Sequence, residues 1–327
     1  MLRCSIMRSF RPRRRSSAVP ESSSRSFWTL SRVFLAIALL AWVLTIFILF
    51  RQSEWSGKQQ RGVILIESRP DEVRQPLTLV IMKPDNKVFV MPIPAQQKIE
   101  TPFNYGTYSS DALVGLTQLE QLDWEYLEYT LALEFGVALD GIIWTDTPAS
   151  SVGELRSLGL QAVLNRKAST VSWWDRMTWW RWLQQVPTYQ LETLDMSNYL
   201  IGDTNMLDTT RYDRWAELYL QDPDIRGNGF SVSVQNGSGI EGYASRVGRM
   251  VGLMGYDLRS IDTVGTSTIS ELLWAETLQR DNWSAQRLQE VLEPFRARVD
   301  QGANEQARSQ AIIRLGTDQS TLFQSRR

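Results

Sequence analysis

The hydrophobic pattern of the chain is dominated by one apolar stretch near the N-terminus. It runs from Val33 to Phe50 without a charge and is bounded by Arg32 and Arg51. At about 1.5 Å per residue, a helix of this length covers about 27 Å, close to the hydrocarbon thickness of a bilayer. The stretch therefore predicts a single transmembrane helix at residues 33–50. A cleaved signal peptide is the alternative, and it is disfavoured because no small-residue cleavage pattern follows Phe50.

After a polar linker at residues 51–60, the pattern changes to short apolar runs that are typical of buried strands. The predicted elements are the strands Gly62–Ile66, Leu77–Met82, Val88–Ile93 and Gly141–Trp144, and a helix at residues 111–135. Strands interleaved with helices favour an α/β or α+β domain, here over residues 61–221.

A tryptophan-rich segment follows within the same domain. Residues 171–186 contain five tryptophans and predict a helix with Ser172 as its N-cap. On a helical wheel the apolar positions occupy most of the circumference. Such a helix suits either a tryptophan-rich core or a position against a bilayer or a partner protein, and the sequence leaves both possibilities open.

A second α/β unit is predicted at residues 228–318. Its predicted elements, in chain order, are strand Phe230–Val234, helix Ile240–Met254, strands Tyr256–Asp262 and Ser270–Ala275, helix Ser284–Phe295 and strand Gln310–Leu315. The order βαββαβ within about 100 residues is that of the ferredoxin-like fold.

Charge divides the chain at the apolar stretch. Residues 1–32 contain eight arginines and one acidic residue, whereas residues 33–327 contain 27 basic and 35 acidic residues. Because positive charge collects on the cytoplasmic side of a membrane, residues 1–32 are predicted to be a cytoplasmic basic tail. The larger, acidic part is then extracytoplasmic, on a single-pass protein of the plasma membrane. Its negative charge argues against nucleic acid as a partner.

The composition also limits the chemistry. The chain has no histidine, and its single cysteine, Cys4, lies in the basic tail. This removes the usual general base near neutral pH and most zinc sites. We therefore predict no metal site and no cofactor, and any catalysis would rest on carboxylates, arginine, lysine or a carboxylate-bound cation.

One short motif suggests nucleotide binding. Residues 237–242 read Gly-Ser-Gly-Ile-Glu-Gly, which matches the glycine pattern of dinucleotide-binding folds. The unit is too short for such a fold, however, and Glu241 would face the pyrophosphate. We predict instead a structural turn in which Asn236 and Gly237 leave the strand with a positive φ, Gly239 completes the turn and Gly242 lets the helix pack closely.

The same residues carry a resemblance. The segment from Val232 to Leu258, with its Asn-Gly-Ser-Gly turn at residues 236–239, resembles the C-terminal domain of LytR-CpsA-Psr envelope proteins. The strand and turn at Ala311–Asp318 are similar to the closing strand of that domain. The resemblance covers about 90 residues and implies a LytR C-terminal-like domain at residues 228–318.

More weakly, the anchor and residues 61–221 are similar to the rest of that family. Its catalytic domain transfers a glycopolymer from a polyprenyl-pyrophosphate lipid to peptidoglycan, holding the pyrophosphate with arginines and a magnesium ion with aspartates. The negative charge of a pyrophosphate is spread over several oxygen atoms. Arginine can donate two parallel hydrogen bonds to such oxygens, and a divalent cation neutralises their charge. The chain departs from this pattern, with Ala95 and Gln96 at an Arg-Asp pair of the family and Gln75 at one of its aspartates.

Four basic residues remain as candidate phosphate-binding groups: Arg69, Arg74, Arg166 and Lys167. Each could equally be an ordinary surface charge. The resemblance and its departures together imply a divergent domain and a non-catalytic scaffold or binding module, whose partners would be peptidoglycan, a polyprenyl-linked glycan or an envelope protein. The alternatives are a divergent, magnesium-dependent phosphotransferase for wall glycopolymers and a membrane-complex subunit that docks through the tryptophan helix.

Overall fold

The computed structural model describes nine ranges of the chain. They are residues 32–44, 60–67, 74–103, 105–146, 153–157, 169–275, 282–293, 295–299 and 309–318. The chain divides into two compact units, residues 1–52 and residues 53–327.

The first unit contributes one helix to the described residues, α1 at residues 32–44. All of its side chains are exposed within that unit. The predicted span continues to Phe50, but residues 45–50 lie outside the described ranges. In the part of the chain that the structure describes, no helix combines the length and the apolar content needed to cross a bilayer.

The second unit begins with a mixed five-stranded sheet, in the order β6-β1-β2-β3-β7. Its strands are β1 Arg61–Glu67, β2 Leu77–Met82, β3 Val88–Ile93, β6 Ile142–Thr145 and β7 Leu191–Thr193, and a separate hairpin joins β4 Lys98–Thr101 to β5 Gly106–Ser109. Strands β1, β2 and β3 pair antiparallel, while β6 and β7 add parallel edges. The interiors of β1 and β2 are buried on both faces, which explains why their sequences are continuous apolar runs.

Helices cover both faces of this sheet. Their bounds are α2 Leu113–Leu119, α3 Trp124–Phe135, α4 at residues 153–157, α5 Trp173–Gln185, α6 Thr209–Tyr219 and α7 Pro223–Asn228. Residues 111–135, predicted to be helical, form two helices rather than one. The chain turns between α2 and α3, where Gln121 adopts a left-handed conformation with a φ of 55° and Asp123 is extended. The hydrophobic pattern continues across this break because both helices bury their apolar residues in the same core.

A second five-stranded sheet contains the C-terminal strands, in the order β11-β10-β12-β8-β9. Its elements are β8 Ser231–Asn236, α8 Tyr243–Met254, β9 Asp257–Thr263, β10 Glu271–Trp274, α9 Trp283–Val291, β11 Arg296–Val299 and β12 Ala311–Leu315. The six predicted elements are present, and β11 is an addition.

The predicted ferredoxin-like arrangement is not the one observed. That fold would place the first and second strands apart, but here β8 and β9 are direct parallel neighbours. Helix α8 makes the crossover that returns the chain to the start of the sheet, as parallel pairing requires. Strand β12 then pairs parallel to the other edge of β8 and antiparallel to β10. The domain is therefore α/β, with a different strand order.

The two predicted domains, residues 61–221 and 228–318, share one continuous apolar core in the second unit. Helix α3 packs against α8, and the buried hydroxyl groups of Tyr129 and Tyr243 lie 2.9 Å apart. At the end of α3, Gly136 caps the helix in the left-handed conformation, and a Cβ atom there would lie 2.4 Å from the side chain of Leu253. The C-terminal sheet and helices are thus packed onto the first sheet rather than joined to it by a free linker.

Candidate functional site

The site that the family resemblance indicates lies at one end of the first sheet. Three chain segments meet there, and one of them is a short 3-10 turn at Ser110–Ala112 that is hydrogen-bonded to the other two. The main-chain N–H of Gln75 donates to the carbonyl of Asp111 at 2.9 Å, next to the start of β2. Ser110 ties in the turn after β3, because its N–H donates to the carbonyl of Gln97 and its hydroxyl to that of Pro94, at 2.8 and 2.7 Å. The segments of Gln75 and of Ala95–Gln96 therefore meet, although they are distant in sequence.

The side chains at this meeting point are largely neutral. Ala95 and Gln96 are exposed on the turn after β3, while Gln97 is fully buried beneath them. Gln75 is buried as well, with 9% of its surface exposed. A neutral amide donates and accepts hydrogen bonds but does not supply the charge that a carboxylate offers to a divalent cation.

Among the residues that the structure describes at this site, there is one charged pair. Arg74 is 74% exposed, and its guanidinium lies 3.7 Å from the carboxylate of Asp111, which is buried. The hydroxyl of Ser109 donates to the same carboxylate at 2.5 Å. The sequence reasoning missed Asp111, whose only signal was its place at the start of the predicted helix.

The structure therefore brings Arg74 together with Gln75, Ala95 and Gln96. It does not test the other three basic candidates, because Arg69 falls in residues 68–73 and Arg166 and Lys167 fall in residues 158–168, all outside the described ranges.

Magnesium would belong to this site if the family chemistry were retained. Across the nine described ranges, no group of three or more His, Cys, Asp or Glu side chains is placed to hold a metal ion. Asp111 is already engaged by Ser109 and Arg74. Because magnesium is held by carboxylates in octahedral geometry with water and phosphate oxygens, the residues described here do not fit such a site.

A second polar site lies between α3 and α9, which the sequence reasoning did not identify. A pocket there is lined by acidic side chains, together with Tyr129, Ala132, Leu139 and Val291; the acidic residues are Glu125, Glu128, Glu290 and Glu293. Burial raises the pKa of Glu128 to about 8, although the hydroxyl of Thr170 donates to its carboxylate at 3.0 Å and partly offsets this shift. At neutral pH the pocket is accordingly less negative than its composition indicates.

The glycine motif forms a closed turn between β8 and α8. The side-chain oxygen of Asn236 accepts from the N–H of Ser238 at 3.1 Å, and the hydroxyl of Ser238 accepts from the N–H of Ile240 at 3.1 Å. In a dinucleotide-binding fold, N–H groups at this position would donate to a phosphate. Here they donate to side chains of the turn itself. Gly239 and Gly242 both lie in the left-handed region, with φ values of 76° and 74°.

Two of the expected glycine roles differ in the structure. Gly237 does not have a positive φ; it is required because a Cβ atom would lie 2.9 Å from the Cβ of Ser267 and 3.0 Å from the carbonyl of Leu315. Close packing of α8 on the sheet depends on Gly248 rather than on Gly242, since a Cβ at residue 248 would lie 2.7 Å from the side chain of Ile261.

A buried ion cluster joins the two sheets at the opposite end of β1. The carboxylate of Asp140 accepts from the main-chain N–H of Gly62 and from Arg61, both at 2.7 Å. It also pairs with both terminal nitrogens of Arg287 on α9, one of them at 2.9 Å. Burial would raise the pKa of Asp140, but the charges of Arg287 and Arg61 outweigh it and hold the pKa below its usual value.

The tryptophan helix α5 covers the face of the first sheet that is turned away from the shared core. Ser172 caps it as predicted, accepting from the N–H of Asp175 at 3.2 Å. Trp179 and Leu183 are buried against sheet residues such as Val63 and Val80. The prediction of a tryptophan-rich core therefore holds for one of the five tryptophans, and the other four keep part of their surface exposed.

Comparison with known proteins bears on the C-terminal part. No curated protein sequence matches the chain. A crystal structure of B. subtilis TagT aligns with 75% of this chain and 93% of its own, at 12% identity and a TM-score of 0.22, too low to support an argument. Residues 229–318 match the model of the family described as LytR cell envelope-related transcriptional attenuator. The resemblance of this segment to the C-terminal domain of LytR-CpsA-Psr proteins is thereby confirmed.

Proposed function

We propose that this chain is an extracytoplasmic protein of the cell envelope, anchored in the plasma membrane by residues 33–50. It acts as a non-catalytic scaffold or binding module in the assembly of wall glycopolymers on peptidoglycan. The LytR-type domain at residues 229–318 supports the envelope role, because its family is described as cell envelope-related. The anchor rests on the uncharged apolar stretch and the arginine excess before it.

The observation that carries the non-catalytic role is the composition of the site around Gln75. Ala95 and Gln96 stand there in place of an arginine and an aspartate of the family, and the carboxylate of Asp111 is taken up by Ser109 and Arg74. Cleaving a pyrophosphate requires that the charge growing on the leaving phosphate be neutralised. Removing even one preorganised electrostatic contact commonly lowers a rate by about 10²–10³.

Binding makes smaller demands than turnover. Arg74 is largely exposed and has several N–H donors, so it can contact a phosphate while it remains near Asp111. We therefore infer that the site binds the phosphate of a lipid-linked glycan weakly and does not transfer the glycan. Arg69, Arg166 and Lys167 are further candidates for the same contact.

The test measures binding and turnover on the same preparation. The full chain in lipid nanodiscs is given a polyprenyl-pyrophosphate-linked glycan with and without magnesium, beside Arg74→Ala and Arg69→Ala. The matched control is Arg211→Ala, an exposed arginine on α6. We expect neither the wild type nor any variant to transfer the glycan in a magnesium-dependent reaction. We expect Arg74→Ala to bind the lipid-linked glycan severalfold more weakly than the wild type does, whether or not Arg69→Ala also loses affinity. Transfer that requires magnesium and falls with Arg74→Ala would establish the divergent phosphotransferase instead.

A further inference from the structure

Helix α6 has an apolar patch on its outer side, the α6 patch, formed by Trp215, Leu218 and Tyr219. Because residues three and four apart are neighbours on a helix surface, the three side chains form one continuous area. Leu218 is 73% exposed and Tyr219 is 43% exposed, while Trp215 is half-buried. The patch therefore offers apolar surface to a ligand that arrives from solution.

The aromatic rings of the patch are held in place by the core. The ring of Tyr219 stacks on that of Trp215, with 5.6 Å between the centroids and 29° between the planes. Both rings also make edge contacts with the ring of Phe89, a buried residue of β3, at 6.4 and 5.6 Å. A ring that is already ordered loses little conformational entropy when a ligand packs on it.

Polar groups border the patch on the side of the turn between β2 and β3. The ammonium group of Lys83 donates to the main-chain carbonyls of Tyr219 and Gln221, at 2.7 and 3.3 Å, and so ties the end of α6 to this turn. Asp85 and Lys87 follow in the same turn, where both are exposed and their charged groups lie 3.8 Å apart. Exposed acceptors and donors thus lie next to a small apolar surface.

The size of the patch limits what can cover it. A stable protein–protein interface buries about 800 Å² on each partner, whereas a whole aromatic side chain supplies about 150–250 Å². The α6 patch, with two exposed side chains and one half-buried ring, falls well short of such an interface. A bilayer is disfavoured as well, because the carboxylates of Asp85 and Glu217 are exposed next to the patch and would be repelled by anionic lipid.

A sugar ring has the chemistry that fits this surface. One face of a pyranose consists of C–H groups, which pack on the negative face of an aromatic ring, while its hydroxyl groups point outward from the rim. An acetamido substituent adds a methyl group, and the exposed Leu218 provides an apolar contact for it next to Tyr219. For the hydroxyl groups, Asp85 has acceptor oxygens and Lys87 has N–H donors.

We propose that the α6 patch binds an N-acetylated amino sugar of a peptidoglycan strand, with the sugar ring stacked on Tyr219 and the acetamido methyl group against Leu218. The proposal rests on the proposed function, in which peptidoglycan is the surface on which glycopolymers are assembled. The patch lies at the end of β2 that leads to Lys83, whereas Arg74 precedes the start of that strand. The chain would thus hold the acceptor strand and the lipid-linked glycan at separate places.

The test measures the binding of sugars to the full chain in lipid nanodiscs. The soluble probe is chitotetraose, an oligomer of N-acetylglucosamine, and its counterpart is cellotetraose, which has the same linkage but no acetamido groups. The polymeric probe is purified peptidoglycan sacculi, with which the nanodiscs are cosedimented. Titration calorimetry gives the affinity for each soluble sugar, and thermal melts establish that each variant is folded.

The variants separate the ring from the rest of the site. Tyr219→Ala removes the stacking ring and keeps the main-chain carbonyl to which Lys83 donates, while Tyr219→Phe keeps the ring. Leu218→Ala removes the contact for the acetamido methyl group. The matched control is Tyr189→Ala, because Tyr189 is 81% exposed in the 3-10 turn that follows α5.

We expect the wild type and Tyr219→Phe to bind chitotetraose more tightly than cellotetraose. Tyr219→Ala should bind chitotetraose severalfold more weakly and cosediment less with sacculi, and Leu218→Ala should lose much of the preference for chitotetraose. Tyr189→Ala should behave as the wild type does. Unchanged binding by Tyr219→Ala, or an equal loss for Tyr189→Ala, would overturn the proposal.

The outcome also distinguishes this proposal from the proposed function. A wild type that binds neither chitotetraose nor sacculi, but binds the lipid-linked glycan through Arg74, would overturn the sugar contact and leave the phosphate contact intact. Loss of all of these interactions would overturn both. If Tyr219→Ala changed only the self-association of the chain or its adherence to lipid vesicles, a second copy or a membrane would be the occupant, and the proposal would be wrong.

Discussion

Two buried aspartates at opposite ends of the first sheet engage arginine in different ways. Asp140, beside the first residues of β1, has side-chain exposure of 5% and pairs with Arg61 and Arg287, which are 7% and 2% exposed. Asp111, beside the start of β2, pairs at 3.7 Å with Arg74, which is 74% exposed. The first aspartate has all of its partners inside the protein, whereas the second shares its arginine with solvent.

This difference distinguishes an ion pair that stabilises the fold from an ion pair whose arginine can also bind a ligand. A guanidinium that is buried against its counter-charge, as in the Asp140 cluster, is out of reach of a ligand from solution and is costly to leave unpaired. An exposed arginine contributes little to stability and keeps donors for an anion that arrives from solution. The burial of each arginine is therefore more informative than the presence of the pair.

The largest expected effect comes from Asp140→Asn. Loss of this carboxylate leaves the two buried guanidinium groups with only the partly exposed Glu290 as counter-charge, and we expect a loss of about 3–5 kcal/mol in the free energy of unfolding. Chemical denaturation at pH 7 measures it, with Asp203→Asn, an exposed residue, as control. A loss no greater than that of Asp203→Asn would show that the buried Asp140 cluster does not contribute to stability as we expect.

The same variant has a pH signature. The folded-state pKa of Asp140 lies below its unfolded value, so its contribution is fully present above about pH 4 and is lost as the pH falls through the folded pKa. The difference in unfolding free energy between wild type and Asp140→Asn should therefore shrink below pH 4.

Asp111→Asn makes the same chemical change at the other end of the sheet. Here the exposed Arg74 regains water, and the amide of asparagine still accepts from Ser109, so we expect a loss of about 1 kcal/mol. The denaturation experiment used for Asp140→Asn provides the measurement. Equal losses for the two variants would show that burial of the arginine does not distinguish the sites.

The effect expected for Glu128→Gln has the opposite pH dependence. Glu128 is half-buried, and because its folded pKa is raised to about 8 from a usual 4.5, the folded protein holds a proton that the unfolded chain releases. Stability should fall as the pH rises between these values, and the glutamine variant should lack this decline. Thermal melts from pH 5 to 8 compare it with the exposed Glu217→Gln. A variant with the slope of the wild type would contradict the assignment.

Much of the fold could be predicted from local patterns. Strands β1 to β3 were placed to within one residue because both of their faces are buried and their sequences are unbroken apolar runs. The N-cap of α5 and the turn after β8 were also local signals, since Ser172 and Asn236 bond to residues two to four positions away.

The rest depends on contacts between distant residues. Strands β7 and β11 were missed because they are only three and four residues long, too short to show a period. The order of the second sheet depends on the crossover through α8 and on pairing with β12, which the hydrophobic pattern does not encode. At the candidate site, the approach of residue 75 to residues 95 and 96 followed from the family resemblance, whereas Asp111 emerged only when the 3-10 turn brought it there.

The place of Arg287 in the Asp140 cluster also governs the time at which the chain can complete its folding. The two residues are 147 positions apart, and synthesis delivers the N-terminal partner first. Until α9 has emerged, Asp140 has Arg61 as its partner and the interface of α3 with α8 is incomplete. Closing so long a loop is slow, since chain entropy is lost before the contact is gained. A chain that ends before residue 287 lacks this contact, and we expect its first sheet to be more sensitive to proteolysis than that of the full chain.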